Sequence, residues 1–124
     1  MTAFLAVGAG AAIGAWLRWG LGLWLNPVLP AVPLGTLAAN LIGGYFVGLF
    51  LAWFAEHPGV PPEMRLFLIT GLLGGLTTFS TFSAEVVGAL MRGLWATGGL
   101  IAVAHLAGSL VATGLGFYTL RLFR

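Results

Sequence analysis

Gly71-Leu72-Leu73-Gly74-Gly75-Leu76-Thr77-Thr78-Phe79-Ser80-Thr81-Phe82-Ser83 is the stretch on which the reading of this chain turns. It lies inside an apolar run that begins near Leu66, which places its hydroxyls at membrane depth, where a polar group without a partner is costly. Gly71, Gly74 and Gly75 weaken a helix, and the Thr77-Thr78 pair can bond its own backbone instead of continuing the ladder. The expectation is an interruption around Gly74 to Thr78. Non-helical backbone survives at that depth only where protein or water surrounds it, and broken helices often turn freed carbonyls toward a cation.

Composition supports the membrane setting. Of 124 residues, 60% are hydrophobic and 6% charged, and the mean hydropathy of +1.05 is far above that of an ordinary soluble domain. The pI near 10.0 rests on five arginines against three glutamates. Those arginines are scattered, so the charge is a matter of topology and gives no sign of a nucleic-acid partner. The absence of cysteine and lysine excludes disulfides, thiolate metal sites and cysteine nucleophiles. Met1-Thr2-Ala3-Phe4 carries no basic residue, so the first apolar segment is expected to stay in the mature protein rather than to act as a signal peptide.

A chain of this length holds about four spans of ~20 residues. The predicted fold is an all-α integral membrane protein, one four-helix domain with spans near residues 4–25, 34–54, 66–90 and 98–120. Proline-rich loops at Asn26-Pro27 with Pro30 and Pro33, and at Glu56-His57-Pro58-Gly59 with Pro61-Pro62, separate the first three. Met91-Arg92-Gly93 closes the third. Four thin helices enclose little interior, which predicts an obligate oligomer. Gly10 and Gly14 form a G-x-x-x-G pair that serves either packing within the chain or a dimer face. Arg18, among Trp16, Trp19 and Trp24, either snorkels to the interface or lines an aqueous vestibule. His57 with the loop glutamates lacks the ligand spacing of a metal site.

With four spans, Arg65, Arg121 and Arg124 fall on one side and Arg18 and Arg92 on the other. Such a weak bias does not fix orientation, so insertion both ways is expected. Two chains in opposite orientations then reproduce the symmetry that inverted-repeat transporters build within one chain.

Phe79 and Phe82 are three apart, so on a helix both rings leave the same face. Ser80 and Ser83 leave the neighbouring one, with Thr81 between. A ring carries a positive edge around its negative face, so two edges can meet a small anion without supplying a full charge. Asn40 in the second span adds an amide donor, and Ser109 continues a polar stripe of His105, Ser109 and Thr113 on the fourth. The plainer reading stays open: a packed Phe pair, hydroxyls bonded to nearby carbonyls, and an Asn bridging two helices. Glu85 is either a carboxylate near the far interface or a vestibule group and partner to an arginine.

At Gly74-Gly75-Leu76-Thr77-Thr78-Phe79-Ser80-Thr81-Phe82-Ser83 the chain resembles the small fluoride channels of the Fluc/CrcB type, and Asn40 and Glu85 fit the same pattern. Length, span number and weak charge bias extend the resemblance over the whole chain. It implies a dual-topology, antiparallel homodimer in the bacterial inner membrane with two pores, each built from both chains, through which fluoride leaves the cytoplasm passively. The partners implied are a second copy, the fluoride ion and membrane lipid. Carried over, Phe79 and Phe82 are the pore rings, with Asn40, Ser80, Thr81 and Ser109 along the path and Arg18 and Glu85 in the vestibule. The resemblance also implies a structural sodium ion on the dimer axis, held by the Gly74 and Thr77 carbonyls of each chain. His105 stands where the family is expected to have a tyrosine. A small multidrug exporter of similar size is disfavoured because the first span lacks the glutamate such proteins need for proton exchange. A structural subunit without transport is the remaining alternative.

Overall fold

The computed structural model describes residues 1–124, and all of its regular structure is helical. The first helix, α1, runs Thr2–Leu25 through an unbroken series of Ala, Leu, Gly and Trp. A single 3-10 turn, Asn26–Val28, follows because Pro27 fits the first turn of a helix but cannot extend α1. Asn26 then acts at a distance: its Oδ1 accepts from the Gly35 N–H at 2.8 Å and caps the start of α2, Leu34–Glu56, whose own preceding residue is Pro33. At the far end of α2, Arg65 Nη2 donates to the Phe54 and His57 carbonyls, both at 3.4 Å, placing a cation where the helix dipole is negative.

The third span starts at Pro62 and comprises Pro62–Arg65, a π-helical stretch Leu66–Leu73 and a last turn Gly74–Leu76, together called α3 (62–76). Thr77 closes that turn, donating from both N–H and Oγ1 to the Leu73 carbonyl at 3.0 and 2.8 Å. Thr77 and Thr78 are extended, and helix resumes as α4, Phe79–Met91. Thr78 caps α4, its Oγ1 accepting from the Thr81 N–H at 3.2 Å, a bond worth about 1 kcal/mol. Gly93, at φ +76°, turns the chain out of α4 in the left-handed region where glycine pays no steric penalty. The last helix, α5, spans Trp95–Leu122, and an ion pair of Arg124 with Glu56 ties its end to α2.

Four helical segments, Thr2–Val28, Leu34–Glu56, Pro62–Met91 and Trp95–Leu122, are long and apolar enough to cross a membrane. They start two to four residues earlier than the sequence reading in three cases, because Thr2, Pro62 and Trp95 sit in first turns that hydropathy does not mark.

The segments pair as α1 with α3 and α2 with α5, while α4 lies on α5. Glycine decides both close pairs. A Cβ on Gly10 would lie 2.8 Å from the Leu72 nitrogen, and one on Gly14 would lie 2.7 Å from the Leu76 nitrogen. From the other side, a Cβ on Gly71 would come within 3.0 Å of the Gly10 Cα. The G-x-x-x-G pair of α1 therefore packs within the chain, against Gly71 and Gly75, rather than forming a dimer face. Only 18 of 124 residues are buried. Small cores form around Phe82 with Val32 and Ile101, and around Leu76 with Ala39 and Leu73. Most large apolar side chains face outward, an arrangement suited to lipid and not to water.

Candidate functional site

The two extended residues divert backbone hydrogen bonds. In a continuous helix the Thr78 N–H would reach the Gly74 carbonyl and the Thr81 N–H would reach that of Thr77. Here the Thr78 N–H donates to Asn40 Oδ1 at 2.8 Å and the Thr81 N–H to Thr78 Oγ1 at 3.2 Å. Of the neighbouring carbonyls, Gly75 accepts from Arg18 Nε at 3.1 Å and Thr78 from Asn40 Nδ2 at 3.0 Å. The Gly74, Leu76 and Thr77 carbonyls lose their regular helical donors at the same interruption.

Asn40, from the second turn of α2, thus pairs with Thr78 much as one β-strand residue pairs with another. The orientation of its amide is set by chemistry, since Oδ1 must face the Thr78 N–H. Its Nδ2 also lies 2.9 Å from His105 Nδ1. An amide NH2 only donates, so Nδ1 accepts and the neutral imidazole carries its hydrogen on Nε2. That atom faces Glu85 Oε2 at 3.9 Å, too far for a direct hydrogen bond, and both atoms are buried without another bonding partner in the protein. Glu85 is held by its other oxygen, which accepts from Thr36 Oγ1 at 2.6 Å. Thr36, Glu85, His105, Asn40 and Thr78 form one polar line across α2, α4 and α5 at membrane depth.

Phe82 packs against this line. Its ring stacks on His105 with centroids 4.6 Å apart and planes at 28°, and meets Phe79 edge-on at 5.4 Å and 73°. The two phenylalanines differ in setting: Phe82 is 6% exposed and Phe79 is 72% exposed. Between α2, α4 and α5 lies a cavity of about 380 Å³ whose walls include Asn40, Thr78, Phe79, Phe82, His105 and Ser109. Its walls carry hydroxyl residues and aromatic rings but no cationic side chain, a chemistry that suits a small anion without trapping it.

A profile of the family described as CrcB-like protein, Camphor Resistance (CrcB), matches residues 5–117. The chain belongs to the CrcB family. Among its relatives, proteins named fluoride-specific ion channel FluC are 82% identical in Thiobacillus denitrificans, over the full length of both chains, and 62% identical in Ralstonia pickettii, over 97% of this chain and 95% of the relative. A third of that name, from Cupriavidus necator, is 59% identical over 96% of this chain and 94% of its own. This CrcB-family chain, with its four helical spans, is a multi-pass integral membrane protein and not an enzyme.

The CrcB-family chain gathers Asn40, Phe79, Phe82, His105 and Ser109 around one cavity. Ser80 and Thr81 turn elsewhere: their hydroxyls lie 3.3 and 3.2 Å from Thr78 Oγ1, gathered by the α4 cap. Thr81 instead lines a second cavity of about 300 Å³ with Arg18, Trp19, Asn26 and Thr36. Arg18 turns inward, its Nε donating to the Gly75 carbonyl, and lines this second cavity. Glu85 meets Thr36 and His105 and no arginine, because α4 faces α2 and α5 while Arg18 is drawn to α3. Thr36 and Thr78 join the site although the sequence reading does not include them among the site residues. Thr36 lies one helical turn before Asn40 on the same face, which was the available signal.

Proposed function

We propose that this chain is a fluoride channel that lets the anion leave the cytoplasm passively across the bacterial inner membrane. The observation that carries the reading is the cavity beside the helix interruption, lined by the rings of Phe79 and Phe82 together with Ser109 and Thr113. A fluoride ion gives up its water there for donors of matching hardness. Relatives bearing a fluoride-channel name along their whole length support the same reading.

The working form is an antiparallel homodimer with two pores, each built from both chains. Phe79 supports this, since an exposed aromatic ring at the mouth of a polar cavity needs a partner surface to complete the pore wall. The interruption at Thr77-Thr78 is its functional break in the third span. A sodium ion on the two-fold axis fits the same place: the Gly74 and Thr77 carbonyls, deprived of their regular donors, are hard oxygen ligands of the kind an alkali cation takes. Its charge offsets their dipoles in a low-dielectric setting. Arg18 and Thr81 form the vestibule that concentrates the anion before entry. Fluoride efflux from liposomes containing the purified protein tests the function, and site-specific cross-linking of the third span tests the pairing.

A further inference from the structure

The donors of Asn40 raise a conflict that the fluoride reading alone does not resolve. Nδ2 has two hydrogens, and both are engaged, one by the Thr78 carbonyl at 3.0 Å and one by His105 Nδ1 at 2.9 Å. While His105 is neutral, an anion in the cavity finds no free N–H on Asn40. We propose that Asn40 and His105 form an anion subsite whose occupation is linked to protonation of His105, an inference that rests on the fluoride reading and assigns the subsite its chemistry.

Adding a proton to Nδ1 turns the acceptor of the Asn40 bond into a donor, and two donors facing each other repel. A small anion between them replaces the lost bond, accepting from Asn40 Nδ2–H and His105 Nδ1–H together. Both side chains line the cavity of about 380 Å³, so the anion approaches from it, and the 2.9 Å separation of Nδ2 and Nδ1 widens to admit the ion. The remaining groups around the ring are arranged to hold its charge. Glu85 Oε2 lies 3.9 Å from Nε2 with no other bonding partner, and Thr36 fixes the carboxylate by its second oxygen at 2.6 Å. Phe82 stacks on the ring at 4.6 Å, presenting its π face to the imidazolium.

Glu85 is the charged group that faces His105. From α2 the ring meets the uncharged Asn40, while Glu56 lies at the end of that helix; from α4 it meets Phe82 and Glu85, with Arg92 beyond the C-terminus. Arg18 is engaged with Gly75 on α3. The balance is simple: one proton is taken up at Nδ1 as one anion binds between the two donors, and it returns to water when the anion moves on. By linkage, anything that binds the protonated state better raises the proton affinity of His105, so anion binding strengthens as pH falls.

Fluoride efflux from liposomes holding the purified protein, corrected for protein-free liposomes, is measured from about pH 5 to about pH 8, the range in which histidine changes charge. Wild-type efflux rises severalfold toward low pH, up to ~10-fold per pH unit for strict one-proton coupling. In His105→Gln the dependence is lost, and in Glu85→Gln it weakens. A wild-type profile that is flat, or one that His105→Gln leaves in place, overturns the linkage while the fluoride reading stands. Absence of efflux at every pH overturns both. Should the variants fail to fold, 15N NMR of the wild-type His105 ring decides: fluoride added at fixed pH moves Nδ1 from the acceptor to the protonated signal, and an unchanged Nδ1 refutes the proposal.

Discussion

Asn40 and Thr78 are joined by two hydrogen bonds across 38 residues of sequence, Thr78 N–H to Oδ1 at 2.8 Å and Nδ2–H to the Thr78 carbonyl at 3.0 Å. One side chain thus satisfies both polar groups of a residue that has left its helix. This permits an extended segment at membrane depth and ties the shape of the third span to the second.

Asn40→Ala leaves the Thr78 N–H and carbonyl unpaired, at about 1–3 kcal/mol each. Asn40→Asp keeps the acceptor for Thr78 N–H but sets a carboxylate oxygen against the Thr78 carbonyl and His105 Nδ1. Fluoride efflux is expected to vanish in Asn40→Asp, and the thermal midpoint in detergent to fall in both variants. Efflux at the wild-type level in Asn40→Asp would remove Asn40 from the path.

The rings of Phe79 and Phe82 are expected to separate function from stability. Phe79→Ile, at a site 72% exposed in the single chain, loses only the edge contact to Phe82, about 0.5 kcal/mol at the low end for an aromatic pair. Phe82→Ile loses the stack on His105 and the edge contact to Phe79, about 0.5–1.5 kcal/mol for an aromatic pair. Both are expected to slow efflux by about tenfold or more, equivalent to ~1.4 kcal/mol at the barrier. Parallel thermal melts and efflux assays check this, and unchanged efflux in both variants counts against the rings.

Gly8 and Gly14 lie less than two turns apart in α1 but differ in surroundings. A Cβ at Gly8 meets nothing within 4 Å, whereas one at Gly14 runs into the backbone of Leu72, Gly75 and Leu76. Gly14→Leu is expected to destabilise by about 1–3 kcal/mol or more through overpacking, while Gly8→Leu is tolerated. Comparing the fraction folded in detergent tests this, and equal behaviour of the two variants would contradict the α1–α3 contact.

Two-way insertion is expected to respond to the placement of a few arginines. Arg92→Gln leaves Arg65, Arg121 and Arg124 against Arg18, and Arg121→Gln and Arg124→Gln with Ala96→Arg reverse the bias, leaving Arg65 against Arg18, Arg92 and the added arginine. Each version alone is expected to be inactive, and co-expression to restore efflux. Full efflux from one fixed orientation would rule out the antiparallel pair.

The spans were legible because long apolar runs stop at Asn26-Pro27, Glu56-His57-Pro58 and Arg92-Gly93, punctuation that acts locally. The unusual character of Thr77 and Thr78 could also be read locally, since two hydroxyl residues after two glycines offer the backbone another partner. The partner itself could not. Asn40 reaches Thr78 across 38 residues and His105 across 65, and nothing in their spacing fixes how the helices align. The same limit applies to Thr36 with Glu85 and Arg18 with Gly75, where helix packing decides the contact. The π-helical turns at Leu66–Leu73 had no signal in the apolar pattern, which is compatible with an ordinary α-helix.

The central claim is that a small, hard anion crosses through the cavity between Asn40, Phe79 and Phe82, and selectivity tests it most directly. Purified protein in liposomes loaded with equal fluoride and chloride, with efflux of each anion followed by its own electrode, gives the ratio in one preparation. The expected result is rapid fluoride efflux with chloride retained at the level of protein-free liposomes. Equal efflux of the two anions, or fluoride efflux no faster than from protein-free liposomes, would contradict it.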